Sequence, residues 1–98
     1  MKIEFADENV ARICTDNAHR MGLPVAVIKA ARRKLIQLEA AHDERDLRNL
    51  KSLYYKKLHG DREGQRQIRI NDQYRIVFTL SDGQRPPVIT IVEIGDTH

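Results

Sequence analysis

The sequence is poor in the residues and runs that would announce a cofactor, a membrane or a secreted scaffold. Its single cysteine, Cys14, excludes an internal disulfide framework and a cysteine-built zinc site. No apolar run approaches the ~18 residues of a membrane helix, and Met1-Lys2-Ile3-Glu4 lacks the pattern of a signal peptide. Walker, dinucleotide-binding and nucleophile-elbow motifs are missing, and four histidines are scattered without metal-ligand spacing. The expectation is a soluble, reduced, cytoplasmic protein with no metal, no cofactor and no membrane partner. There is no internal repeat and no low-complexity tract.

What is present fits one domain over residues 1–98, with 41% hydrophobic residues and an above-average 32% charged. The net charge of +3 is unevenly spread. Residues 1–44 carry seven basic and seven acidic side chains, residues 45–75 nine against four, and residues 76–98 one against three. A basic middle points to an anionic partner such as a phosphate backbone, or simply to a solvated lysine-rich face.

Periodicity supplies the elements. Met1–Phe5 alternates like an edge strand. Asp7 reads as an N-cap for a helix through Val10, Ile13, Cys14, Ala18 and Met21, stopped by Gly22. Pro24 starts a second helix with Ile28, Ala31, Leu35 and Leu38 as its apolar stripe, and Lys29, Arg32 and Arg33 turned away. Cys14 belongs to the first helix's apolar stripe and is expected in the core. Asp43 opens a shorter helical turn with Leu47, Leu50 and Leu53.

From about Tyr54 the period changes to two. Arg66–Ile70 and Tyr74–Leu80 flank a turn, and Val88–Ile94 is apolar on both faces, as an interior strand requires. A two-residue loop would set Ile68 against Arg75 and mix core with charge. A three-residue loop, Asn71 to Gln73, pairs Ile68 with Ile76 and Arg69 with Arg75. The fold class is therefore α+β, an N-terminal helical hairpin packed on one face of a mainly antiparallel twisted sheet.

The opposite sheet face then exposes Gln67, Arg69 and Arg75. Like charges facing across strands are unfavourable unless an anion lies between them, although ordinary surface strands also carry arginines. The loop His59–Gly64 brings Arg62 close to the same hairpin, or is merely a flexible turn. The tail Gly95-Asp96-Thr97-His98 sets an imidazole beside a carboxylate. Histidine exchanges protons near neutrality and arginine neutralises a phosphorane-like transition state. Such a set suits attack of an RNA 2′-hydroxyl on its own phosphate, which needs no metal.

Three runs, Lys57–Gln65, Ile68–Phe78 and Val92–His98, together resemble the HigB family, the plasmid-maintenance killer toxins of the RelE/ParE superfamily. The resemblance implies a compact microbial-RNase-like fold and a ribosome-dependent endoribonuclease that cuts mRNA in the decoding site. It also implies a HigA-type antitoxin with a helix-turn-helix domain, and operator DNA reached through that antitoxin. By the same resemblance Arg75 holds the scissile phosphate, His98 transfers protons and Asp96 supports them. Gln73 is a polar neighbour, and Lys57, His59, Arg62 and Arg69 are candidate phosphate contacts. Two departures stand out: His59 where the family commonly has lysine, and Thr97 where it commonly has tyrosine. They imply a weaker or differently selective toxin. The alternatives are a ParE-like gyrase poison, which has no need of the acid/base tail, and a degenerate toxin acting only within an antitoxin complex.

Overall fold

The computed structural model describes residues 1–98 apart from Asp82, Gln84, Thr97 and His98. Five strands form one mixed sheet in the order β1-β5-β4-β3-β2, where β1 is Lys2–Phe5, β2 Lys56–Lys57, β3 Arg66–Arg69, β4 Tyr74–Leu80 and β5 Val88–Asp96. Only the β1–β5 pair is parallel, Lys2 lying against Val88 and Phe5 against Ile91. The helices α1 (Glu8–Ala11), α2 (Val25–Ala40) and α3 (Glu44–Asn49) complete the chain. Among the described residues no helix is long and apolar enough to cross a membrane.

The core lies on one sheet face. Ile68, Ile76, Phe78, Ile89 and Ile91 are fully buried with Ile13, Ala31, Leu38, Leu47 and Leu53. Each large aliphatic side chain buried there contributes roughly 1.5–3 kcal/mol. The stripe expected on α2 is buried as expected, with Val27 added. Pro24 caps that helix from just outside rather than opening it, its carbonyl accepting from the amides of Val27 and Ile28 at 3.0 Å.

The first arm of the expected hairpin is not a continuous helix. Asp7 does cap α1, its Oδ1 accepting from the Val10 amide at 2.9 Å. The chain then passes into short 3₁₀ turns at Arg12–Cys14 and Ala18–Met21. Local polar chemistry explains the break: the Thr15 hydroxyl donates to the Arg12 carbonyl at 2.9 Å and accepts from the Asn17 amide at 3.1 Å. Arg32, expected to face away, instead reaches across and donates to the carbonyls of Ile13 at 2.7 Å and Thr15 at 3.0 Å. Cys14, expected in the core, is exposed and lines a groove with Ile3, Phe5, Leu35 and Glu39. Partial desolvation raises its thiol pKa, Arg32 pulling it down and Glu39 up. Leu50 is also exposed, because α3 ends before it.

The hairpin register is the expected one: Ile68 faces Ile76 and Arg69 faces Arg75 across a three-residue loop. Asn71 sets that loop, its Oδ1 accepting from the amides of Gln73 at 2.9 Å and Tyr74 at 2.8 Å. On β5 a bulge leaves Val92 as the extra residue between the Val77–Glu93 and Phe78–Ile91 pairs. It inverts the alternation, so Ile94 returns to the core side while Glu93 joins the opposite face.

Candidate active site

The face away from the helices is built as two rows. Arg69, Arg75 and Gly95 form one, and Lys56, Gln67, Val77 and Glu93 the next. Cross-strand neighbours have Cβ atoms about 4.5–5.5 Å apart, so two guanidinium stems rise side by side. Gly95 places no side chain beside Arg75 in the first row. Among the described residues Arg75 forms no ion pair; its Nη1 donates to the carbonyls of Asn71 at 2.6 Å and Tyr74 at 3.1 Å. Arg69 stacks on Tyr54, its Cζ 4.1 Å from the ring centroid, and its Nη1 lies 3.7 Å from the exposed Asp72 carboxylate. The Nε of Arg69 is buried without a hydrogen-bond partner.

Gln73 and Asp96 meet at the hairpin end, the Gln73 Nε2 donating to Asp96 Oδ2 at 3.1 Å. Register sets Tyr74 against Asp96 and Arg75 against Gly95, so Asp96 and Arg75 leave the ladder on alternate faces. Arg62 is on the arginine face but engaged, 2.6 Å from Glu93 and 3.2 Å from Gln65. Lys57 and His59 are elsewhere. Lys57 pairs with Arg66, which puts it on the helix-bearing side, and both residues line a separate groove with Glu63, Gly64 and Arg66. The reason is the one-residue alternation of β2: Lys56, not Lys57, shares the face of Arg69 and Arg75. His98 and Thr97 lie outside the described residues.

Sequence reasoning also missed a second cluster. Arg66 Nε donates at 3.0 Å both to Glu44 Oε2 and to the Tyr55 hydroxyl, and Tyr55 donates to Glu44. Burial opposes the Glu44 charge, but the Tyr55 and Arg66 hydrogen bonds outweigh it and hold the carboxyl below its usual range. Burial first, and the bond to Glu44 next, push Tyr55 up to about 12. This cluster ties α3 to β3.

A family model described as "RelE-like toxin of type II toxin-antitoxin system HigB" matches residues 3–88. This chain belongs to the HigB family of toxins. It is a toxin of the type II toxin-antitoxin class, and it is 35% identical over 83 residues to Toxin HigB-1 of Vibrio cholerae, covering 85% of this chain and 87% of that protein. Solved structures add agreement of fold. YafQ from E. coli superimposes with a TM-score of 0.61 at 14% identity, covering 98% of this HigB-type chain and 92% of YafQ. The YoeB toxin in a YoeB-YefM complex from Staphylococcus aureus gives 0.58 at 17% identity, over 100% and 98% of the two chains. A YoeB/ParE toxin from Agrobacterium tumefaciens gives 0.56 at 16%, over the whole of both chains. The helix-backed sheet is thus a fold shared with these toxins. Tyr54, which stacks on Arg69, was legible only as one half of an aromatic pair inside the basic stretch of this HigB-type sequence.

Proposed function

We propose that this HigB-family toxin is an endoribonuclease that cuts mRNA on translating ribosomes, as a single domain working in the cytoplasm. The observation that carries the reading is the opposed Arg69–Arg75 pair, two cations with no carboxylate closer than 3.7 Å among the described residues. An RNA phosphate placed between them removes the repulsion and supplies the missing charge. Arg75 holds the scissile phosphate and neutralises charge as it develops. His98 moves the protons, with Asp96 held by Gln73 in support. The 2′-oxygen bonds to phosphorus while the bond to the 5′-oxygen breaks. One proton leaves the 2′-hydroxyl and one is delivered to the 5′-oxygen, yielding a cyclic phosphate and a free 5′-hydroxyl. A HigA-type antitoxin restrains the toxin and links it to operator DNA.

The test is in vitro translation of a defined mRNA with 5′ ends mapped by primer extension. Wild type, Arg75→Ala and a chain lacking His98 run beside a naked-mRNA control. New ends that need ribosomes, Arg75 and His98 support the reading. Silence from wild type overturns it and directs the next assay to gyrase supercoiling.

A further inference from the structure

Resting on that ribonuclease reading, we propose that Tyr54 and Arg69 form a stacking platform for one unpaired RNA base beside the scissile phosphate. Tyr54 is 58% exposed although its neighbours Leu53 and Tyr55 are buried and half-buried. Its inner face is fixed by the Arg69 guanidinium at 4.1 Å, which leaves the outer face as a flat, open π surface. Its backbone is left-handed, φ 51° and ψ 48°, a conformation that glycine or asparagine adopts at lower cost than an aromatic residue. The chain therefore keeps a large apolar ring, in an unfavourable conformation, where solvent covers it.

Arg69 supplies the second observation. Its Nε is buried and unpartnered, its Nη1 lies 3.7 Å from the exposed Asp72 carboxylate, and across the strand it faces the like charge of Arg75. The aromatic stack satisfies one flat face of Arg69 and leaves its charge for an anion. A nucleotide offers both complements at once: a base for the outer face of the Tyr54 ring and a phosphate for the paired arginines. Every base has a π face, so the platform orders the strand without reading its identity. The base must be unpaired, because a duplex already stacks both of its faces.

The experiment uses programmed ribosomes and the mapped cleavage site, comparing wild type, Arg75→Ala, Tyr54→Phe, Tyr54→Gly and Tyr54→Asn. Each cuts a normal mRNA and mRNAs carrying an abasic nucleotide at each position flanking the cut. Tyr54→Gly and Tyr54→Asn suit the left-handed backbone, so they keep the melting temperature while cleavage at limiting toxin falls by roughly five- to a hundredfold. Tyr54→Phe recovers most of that loss. One abasic position costs wild type a similar factor and costs Tyr54→Gly nothing more. Wild-type cleavage by Tyr54→Gly, or equal tolerance of every abasic position by wild type, overturns the platform while the ribonuclease reading stands. If wild type itself makes no cut, the ribonuclease reading falls, and the platform with it.

Discussion

Arg66 and Arg69 lie three positions apart on β3, and each meets one member of the Tyr54-Tyr55 dipeptide. Arg66 is spent on structure: Glu44 takes its charge and Tyr55 its remaining geometry, and the three bind α3 to the sheet. Arg69 has the same chemistry, but its carboxylate neighbour among the described residues is the fully exposed Asp72 at 3.7 Å, and it faces Arg75. The left-handed turn at Tyr54 divides the dipeptide, one ring to the buried cluster and one to the open face. Two arginines of one strand are thereby assigned opposite fates by the polar groups around them. An arginine with a close, partly buried counter-charge stabilises the fold; one whose counter-charge is distant and solvated is left more exposed to other anions.

The strongest way to break this comparison lies one strand over. Ile76 and Arg75 are adjacent on β4 but face the core and the open surface respectively. Ile76→Ala should cost roughly 2–5 kcal/mol in urea denaturation by opening a cavity among fully buried side chains. Arg75→Ala should lower ribosome-dependent cleavage by about a hundred- to a thousandfold, the scale of one transition-state donor, with the denaturation midpoint unchanged. A folding defect in Arg75→Ala would show that the two faces are misassigned.

A smaller effect separates the two arginine environments. Glu44→Gln removes the charge from the buried-side cluster and should cost about 1–2 kcal/mol, a loss of several degrees in melting temperature, with cleavage preserved. Loss of cleavage at full stability would deny the division between structural and functional arginines.

The mildest test is pH. The Glu44 carboxyl in the folded protein titrates below its ordinary 4.5, so its contribution is complete above that pH and disappears as pH falls through the folded value. Tyr55 moves the other way, from 10.0 to about 12, so its contribution is complete below 10 and lost as pH rises through 12. Melting curves of wild type should therefore fall more steeply than those of Glu44→Gln below pH 4.5, and more steeply than those of Tyr55→Phe between 10 and 12.

Much of this was legible in sequence wherever a pattern had a single physical solution. The hairpin register is one such place, because a one-residue slip turns Arg75 to the core face, and the Asn71 side chain provides the loop that the register needs. The stripe of α2 was legible for the same reason. The continuous first helix was not, since Thr15-Asp16-Asn17 offers the backbone local hydrogen bonds that apolar spacing cannot reveal. Cys14 was misplaced as a consequence. Lys56, which shares the face of Arg69 and Arg75 where Lys57 does not, was not legible because a two-residue strand carries no alternation to read. The partnership of Glu44, Tyr55 and Arg66 unites three elements distant in sequence, and no local spacing signals it.

The parallel pairing of β1 with β5 has a bearing on how the toxin comes into being. Among the described residues β1 pairs with β5 alone, Lys2 lying against Val88 far along the sequence. Loop-closure entropy must be met across nearly the whole chain before that ladder forms. The β3–β4 hairpin that carries Arg69 and Arg75 is local in sequence and closes without waiting for that ladder.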